Sequence, residues 1–226
     1  MIKACLFDLD GTLLNTLESI RHYINKNLAM RGIGGLTLDE TRVFVGTGAM
    51  KLCENALRSK GVDLMSEEGI TLRGEIHDSY VREYNDNPSY LTEAYLGIAE
   101  TVAKLKERQI KLAVISNKPD ATVKQLVEEY FFGEFDIIEG ASEKFPLKPD
   151  PLWPSSICER LGVDPAEAMY LGDTSTDMQT ARAFGAGLAV GVSWGFRERE
   201  ELVSHGADIV IDHPSEILGL LEAGEK

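Results

Sequence analysis

The chain has 226 residues, of which 43% are hydrophobic and 27% charged, so it can bury one large core or two smaller ones. These proportions exclude wholesale disorder, and no apolar run reaches the roughly 18 residues that a transmembrane helix requires. With 23 Lys and Arg against 37 Asp and Glu, the formal charge is −14, which disfavours nucleic acid and anionic membranes as partners. We expect a monomer or a weak homodimer.

Cysteine usage bears on the cellular compartment. The three cysteines, Cys5, Cys53 and Cys158, are odd in number and widely spaced, so they indicate no disulfide framework and no CxxC pair. Asp8 also interrupts the first apolar stretch, where a secretion signal would continue. A cytoplasmic location is therefore the expectation.

The first third of the chain contains one predicted strand followed by a helical stretch. Residues 2–9 are almost continuously apolar, which predicts a strand buried on both faces, as in a parallel sheet. From residue 15 to residue 90, helical periodicity replaces strand signals. Within this stretch Ile20, Ile24 and Leu28 share one helix face. The sequence from Thr37 fits a capping box, and further helices are predicted over residues 49–60 and from 66 to about 85.

Strands and helices alternate after residue 91. Strands are predicted over residues 112–115, 135–138, 168–171, 188–190 and 209–211. Helices are predicted over residues 98–108, around 123–127 and over 151–161. This alternation is typical of an α/β fold whose parallel sheet has helices on both faces. The helical stretch before it is too long for a simple crossover, so we interpret it as a second, smaller domain.

Polar side chains follow three of the predicted strands, where each strand ends. They are Asp8 and Asp10, Ser116 and Asn117, and Asp173 and Asp177, with Lys148 in a loop between prolines. In open α/β sheets, ligands bind at the edge formed by the carboxyl ends of the strands. We therefore expect these side chains to form one site.

Asp8 and Asp10 are two residues apart, so in an extended strand they share one face. Two carboxylates that close raise the pKa of one of them or bind a cation. One can attack an electrophile and the other can transfer a proton, although an isolated Asp-x-Asp-Gly is also a common turn. The four carboxylates and a bound phosphate would carry far more negative charge than Lys148 alone can balance, so a divalent ion is expected. Carboxylate oxygens are ligands that suit Mg²⁺.

Four segments resemble, in order, the motifs of the haloacid dehalogenase superfamily. They are Asp8 to Leu13, Ser116-Asn117, Lys148-Pro149 and Gly172 to Asp177. The resemblance implies a Rossmann-like core of residues 1–14 and 91–226 with an inserted all-helical cap domain of residues 15–90. It also implies Mg²⁺-dependent hydrolysis of a small phosphorylated metabolite through an aspartyl-phosphate.

The resemblance also assigns roles to residues. Asp8 would be the nucleophile, Asp10 the general acid and base, and Lys148 a catalytic phosphate ligand. Mg²⁺ would be bound by Asp8, the Asp10 backbone carbonyl and Asp173, with Asp177 in support. Further candidates for substrate binding are Gly11, Thr12, Ser116 and Asn117 in the core and Thr47 and Lys51 in the cap.

Other activities remain open from the sequence. A sugar-phosphate phosphatase or a mutase similar to β-phosphoglucomutase would use the same motifs, although Ile20 stands where such mutases tend to carry a histidine. A dehalogenase would not need the acid Asp10. A receiver-like phosphorylation switch would cluster similar residues without turnover, but it would have no long helical insert.

Overall fold

The computed structural model describes residues 1–221. The strands are β1 (Ala4–Phe7), β2 (Leu14–Asn15), β3 (Glu93–Ala94), β4 (Lys111–Pro119), β5 (Ile137–Ala141), β6 (Ala168–Gly172), β7 (Leu188–Val192) and β8 (Ile209–Ile211). Six of them form one parallel sheet in the order β5-β4-β1-β6-β7-β8. The chain adds β4 and β5 on one side of β1 and the remaining strands on the other, so a ligand crevice is expected at the carboxyl end of β1.

Ten helices are described in residues 1–221. They are α1 (Leu17–Ala29), α2 (Leu38–Phe44), α3 (Ala49–Ser59), α4 (Glu67–Asp86), α5 (Ile98–Glu107), α6 (Asp120–Tyr130), α7 (Leu152–Leu161), α8 (Ser175–Phe184), α9 (Arg199–Ser204) and α10 (Ile217–Leu220). None of the helices in this range combines the length and the apolar character needed to cross a bilayer.

Helices cover both faces of the sheet because successive strand side chains point to opposite sides. Cys5 and Phe7 of β1 pack in one hydrophobic cluster with residues of α5 and α6, whereas Ala4 and Leu6 pack in another with residues of α7 and α8. The predicted α/β class, with a parallel sheet covered on both sides and an all-helical insert, is confirmed.

The insert has a hydrophobic core of its own. Helices α1 to α4, which we call the cap, lie between β2 and β3, and these two short strands pair antiparallel where the insert leaves and rejoins the core. Ile20, Ile24 and Leu28 are buried in the cap cluster, as their spacing predicts. Phe196, from the loop after β7, also packs in this cluster. The exact division at residues 14/15 and 90/91 stays a prediction.

Three strands differ most from the sequence prediction. β5 spans Ile137–Ala141, not residues 135–138. β1 is shorter than residues 2–9, because the chain turns after Asp8. β4 continues beyond residue 115 to Pro119, where its pairing with β5 resumes after a bulge between Ser116 and Pro119. Bulges redirect side chains at the end of a strand, and this one lies at the ligand-binding edge of the sheet.

The predicted capping box at Thr37 is present at the start of α2. The Thr37 hydroxyl accepts a hydrogen bond from the Glu40 backbone N–H at 3.1 Å, and the Glu40 carboxylate accepts one from the Thr37 N–H at 2.7 Å. Both bonds satisfy backbone donors that the helix leaves without intrahelical partners.

We predict that Thr37→Ala lowers the free energy of unfolding by about 1 kcal/mol, because it removes this cap. Urea denaturation followed by circular dichroism measures the change. Thr71→Ala is the matched control, since Thr71 is exposed inside α4 and caps no helix. Equal stabilities for the two variants would contradict the prediction.

Candidate active site

Asp8 and Lys148 form a buried ion pair at the end of β1. The backbone N–H of Asp8 donates to the Leu171 carbonyl oxygen at 2.9 Å, which holds Asp8 beside β6. Its Oδ1 accepts a hydrogen bond from Lys148 Nζ at 2.8 Å. The same ammonium donates to Asp177 Oδ1 at 2.8 Å. One lysine thus joins two carboxylates that come from distant parts of the chain.

Asp177 is fixed by the first turn of α8. Its Oδ2 accepts hydrogen bonds from the Thr174 N–H at 3.0 Å and from the Thr174 hydroxyl at 2.6 Å, in a capping arrangement. Its Oδ1 accepts from Lys148 and, at 3.4 Å, from the Tyr170 hydroxyl. Both oxygens therefore have protein donors, and the carboxylate holds Lys148 in position next to Asp8.

Asn117 also holds Lys148. The Lys148 backbone N–H donates to Asn117 Oδ1 at 2.9 Å, and Asn117 Nδ2 donates to the Lys148 carbonyl oxygen at 3.1 Å. The second hydrogen of the amide reaches the Gly46 carbonyl oxygen, in the cap, at 3.2 Å. The amide is thus occupied by backbone groups and positions the loop of Lys148, and its role in binding phosphate stays a prediction.

Asp173 lies against the backbone of two loops. Its Oδ1 accepts from the Thr12 hydroxyl at 3.3 Å, and its Oδ2 accepts from the Phe196 N–H at 2.7 Å. Gly11 has a φ of +87°, and a Cβ there would lie 2.2 Å from Asp173 Oδ2. A Cβ at Gly195 would lie equally close to the Asp173 Cβ. Gly11 and Thr12 surround Asp173, and their expected role in binding substrate stays a prediction.

Asp10 faces a different lysine. Its Oδ1 accepts hydrogen bonds from the Thr16 hydroxyl at 2.6 Å and from Lys118 Nζ at 3.1 Å. Lys118 also donates to the hydroxyl of Tyr84, in the cap, at 2.9 Å. Any contribution of Asp10 to a metal site would come from its backbone carbonyl, because the carboxylate is directed to Lys118. The two aspartates are thus paired with separate lysines.

A cavity lies between the core and the cap at this edge of the sheet. The core lines it with Asp8, Asp10, Ser116, Asn117, Lys118 and Pro119, and the cap with Ile20, Val45, Gly46, Gly48, Ala49, Leu52 and Tyr80. Its volume is about 50 Å³, above the roughly 10–15 Å³ that one water molecule needs. The opening therefore suits a small group, with charged residues on the core side and mainly apolar ones on the cap side.

Thr47 and Lys51 do not line this cavity. Thr47 is exposed, and Lys51 pairs with Glu54 at 3.1 Å on the outer side of α3. Ala49 and Leu52 occupy the inward face of the same helix, one turn apart, so Lys51 is directed away. That Thr47 and Lys51 bind substrate stays a prediction, since neither reaches the cavity in this arrangement of the cap.

Residues 5–190 match the family model of the haloacid dehalogenase-like hydrolases. The chain belongs to this family. The resemblance recognised in its motifs is confirmed, and the match spans the strands that carry Asp8, Ser116 and Asp173.

The named relatives of this hydrolase are phosphatases. Phosphoglycolate phosphatase of Pectobacterium atrosepticum is 30% identical and covers 97% of this chain and 92% of the relative. N-acetylmuramic acid 6-phosphate phosphatase of Pseudomonas aeruginosa is 32% identical, with 98% and 95% covered. A crystal structure from Lactobacillus delbrueckii, described as a candidate phosphoglycolate phosphatase, superposes with a TM-score of 0.89 at 29% identity, covering 97% and 98%. The expected enzyme class, a phosphatase, is confirmed.

The acidic residues of this hydrolase fit a divalent cation. Asp8, Asp173 and Asp177 each offer a carboxylate oxygen within 4.8 Å of the others, and all three are buried. When ionised, they outnumber the single ammonium of Lys148 by two charges. Oxygen ligands and this charge suit Mg²⁺. The donor set therefore fits the metal that the family resemblance implies.

Titration of these groups reflects burial and their neighbours. Burial raises the pKa of Asp8 to about 7, with Asp177 and Asp10 adding to the shift and Lys148 opposing it. Burial, Asp177 and Asp8 together raise the pKa of Asp173 well above its ordinary value. Burial alone would lower the pKa of Lys148, but Asp177 and Asp8 raise it well above the ordinary value.

Sequence reasoning missed Lys118 and its partner Tyr84. Lys118 directly follows Ser116 and Asn117, so its place at the carboxyl end of a strand was a signal that could have identified it. Burial alone would lower the pKa of Lys118, but Asp10 and Tyr84 raise it, so the side chain is an ammonium at neutral pH. Tyr84 had no comparable signal, because it lies late in a cap helix, 34 residues away.

We predict that Mg²⁺ stabilises the protein more at about pH 8 than at about pH 5.5, because the ion competes with protons for these carboxylates. Folding raises the pKa of Asp8 from 3.8 to about 7. The protonated side chain therefore contributes stability that is fully present below pH 3.8 and is lost as the pH rises through about 7. Bound Mg²⁺ should recover stability in the upper range. Tm values with EDTA and with Mg²⁺ at both pH values measure the effect.

Asp8→Asn is the control for this prediction. The variant lacks one carboxylate ligand for Mg²⁺ and the titration of that carboxylate. The rise in Tm with Mg²⁺ at the higher pH should therefore be smaller. A rise of equal size at both pH values in the unmodified protein would contradict the assignment of these carboxylates.

Proposed function

We propose that this phosphatase hydrolyses a small phosphomonoester through an aspartyl-phosphate on Asp8. The observation that carries the proposal is the setting of Asp8. Its Oδ1 is held by Lys148, it lines the cavity, and within residues 1–221 its Oδ2 accepts no hydrogen bond from the protein. A carboxylate with one oxygen anchored and one available is suited to attack an electrophile.

The first half-reaction transfers the phosphoryl group to the protein. Asp8 Oδ2 attacks phosphorus, so a carboxylate O–P bond forms as the bond from phosphorus to the leaving oxygen breaks. Asp10 donates a proton to that oxygen, and the alcohol departs. Lys148 balances charge at Asp8, and the Ser116 hydroxyl, which lies on the cavity, is placed to hold a phosphate oxygen.

The second half-reaction releases phosphate. Asp10, now ionised, takes a proton from a water molecule as that water attacks phosphorus, and the bond to Asp8 breaks. Inorganic phosphate leaves, and both aspartates return to their starting states. Bound Mg²⁺, held by Asp8, the Asp10 backbone carbonyl and Asp173 with Asp177 in support, would neutralise charge on the carboxylates and the phosphate.

The substrate that these features favour is 2-phosphoglycolate. In this position of the cap the leaving group would lie against mainly apolar cap residues. Residues 45–49 and 191–196 also resemble the cap and C-terminal segments of phosphoglycolate phosphatase, and relatives of that name cover nearly the whole chain. The relative that acts on N-acetylmuramic acid 6-phosphate supports a sugar phosphate as the second candidate.

We also propose that the protein acts in the cytoplasm on a small phosphorylated metabolite, without nucleic acid or membrane as a partner, as a monomer or a weak homodimer. The three cysteines are buried and unpaired, which suits a reducing compartment. The net charge of −14 would repel polyanions.

We predict that Asp8→Asn lowers kcat on the best substrate by on the order of 10⁴-fold or more, because the amide cannot replace the nucleophile. Phosphate release measures turnover, and circular dichroism checks that the variant is folded. Asp78→Asn, an exposed aspartate of α4, is the matched control and should keep full activity. Turnover that survives in Asp8→Asn would rule out the covalent step.

A substrate panel tests the choice of leaving group. We expect kcat/KM for phosphate release to be highest with 2-phosphoglycolate and lower with glucose 6-phosphate and N-acetylmuramic acid 6-phosphate, because residues 45–49 and 191–196 resemble segments of phosphoglycolate phosphatase. If kcat/KM is higher with either sugar phosphate, that sugar phosphate replaces 2-phosphoglycolate as the proposed substrate. Isomerisation of glucose 1-phosphate without phosphate release would instead identify a mutase.

A further inference from the structure

Lys118 connects the general acid to the cap. Its Nζ lies 3.1 Å from Asp10 Oδ1 and 3.3 Å from Asp10 Oδ2, and it donates to the Tyr84 hydroxyl at 2.9 Å. The ammonium also lies 4.1 Å from the centre of the Tyr84 ring. Its side chain is only 4% exposed. Within residues 1–221, no other cationic side chain forms an ion pair with Asp10.

The two oxygens of Asp10 have unequal partners. Oδ1 accepts the 2.6 Å bond from the Thr16 hydroxyl and, at 3.1 Å, the closer of the two Lys118 contacts. It is therefore anchored from two directions. Oδ2 accepts only the 3.3 Å contact from Lys118 among the described residues. This asymmetry fixes the rotation of the carboxyl group and leaves Oδ2 as the oxygen available to carry a proton.

We propose that Lys118 is a positioning residue that orients Asp10 for proton transfer to the leaving group, and that Tyr84 fixes Lys118 when the cap is closed. This inference rests on the acid and base role of Asp10 in the proposed function. Lys118 does not contact the reacting atoms in this scheme. It acts by keeping Oδ1 of Asp10 occupied, so that Oδ2 is directed to one place.

Lys118 lies within the bulge of β4, at the ligand-binding edge of the sheet. Register with β5 shifts between Ser116 and Pro119, and within that interval Ser116, Asn117 and Lys118 all line the cavity. In a regular strand, successive side chains would alternate between the two faces. At the bulge Asn117 lines the cavity as well, while Lys118, two residues after Ser116, lies on the same side as Ser116 and reaches Asp10.

Tyr84 gives the arrangement a dependence on the cap. It lies in α4, whereas Lys118 and Asp10 belong to the core, so the hydrogen bond at 2.9 Å crosses the boundary. If the cap moves away, Lys118 loses an acceptor and a ring that restrict its position. Proton transfer to the leaving group is then efficient only when the substrate is enclosed.

The test compares two leaving groups. An alkoxide needs a proton to depart, whereas p-nitrophenolate departs without one. We expect Lys118→Met to lower kcat/KM about 10²-fold on the best alkyl phosphate of the panel and less than about fivefold on p-nitrophenyl phosphate. Lys124→Met, an exposed lysine of α6, is the matched control and should change neither value.

A double-mutant cycle shows whether Lys118 acts through Asp10. In an Asp10→Asn background, Lys118→Met should cause no further loss on the alkyl phosphate, because the group that it positions is already gone. Independent losses that multiply, or equal losses with both leaving groups, would overturn the proposal while leaving the phosphatase function intact.

Tyr84→Phe covers the case in which Lys118→Met does not fold. It keeps the ring and removes only the hydroxyl, so we expect a loss of several-fold on the alkyl phosphate and none on p-nitrophenyl phosphate. Lys118→Arg should recover part of the alkyl activity. Unchanged alkyl activity in Tyr84→Phe would refute the role of the cap. An unmodified protein that hydrolyses neither substrate would refute the proposed function itself.

Discussion

The site depends on one buried ammonium shared between two carboxylates. Lys148 bonds Asp8 and Asp177 at equal distances of 2.8 Å, and Asp173 lies within the same acidic cluster. Removing such charges from water costs several kcal/mol for each ion, and the cost is offset only by close partners and by additional hydrogen bonds. This constraint explains why Thr174, Tyr170 and Asn117 all direct their polar groups to Asp177 or to the loop of Lys148.

Separate cations allow two nearby aspartates to differ in chemistry. Asp8 is bonded to Lys148 deep in the core, whereas Asp10 is bonded to Lys118, which reaches Tyr84 of the cap, and to Thr16. Carboxylates that shared one cation would be tightly coupled and would exchange roles easily. The backbone makes the separation possible, because the chain turns after β1 instead of continuing as a strand.

The cap contributes enclosure and few polar contacts. Its cavity residues are mainly apolar, so they would exclude water from an enclosed substrate. A few hydrogen bonds join the cap to the core. Asn117 donates to the Gly46 carbonyl, Lys118 donates to Tyr84, and Arg197 donates to the carbonyl oxygens of Arg42, Val43 and Val45. Phe196, next to Arg197, packs in the cap core, and its backbone N–H donates to Asp173. One loop therefore contacts both the cap and the acidic cluster.

The sequence by itself determined the elements whose signal is local. Apolar runs identified the buried strands, the spacing of Ile20, Ile24 and Leu28 identified a cap helix, and ordered motifs at strand ends pointed to Asp8, Lys148 and Asp173. Only the tertiary structure decided which side chains meet. Lys118 and Asp10 are 108 residues apart and no local pattern links them, while Lys51 is also polar yet points outward. Periodicity reports the face that a residue occupies, whereas pairing depends on how distant segments pack.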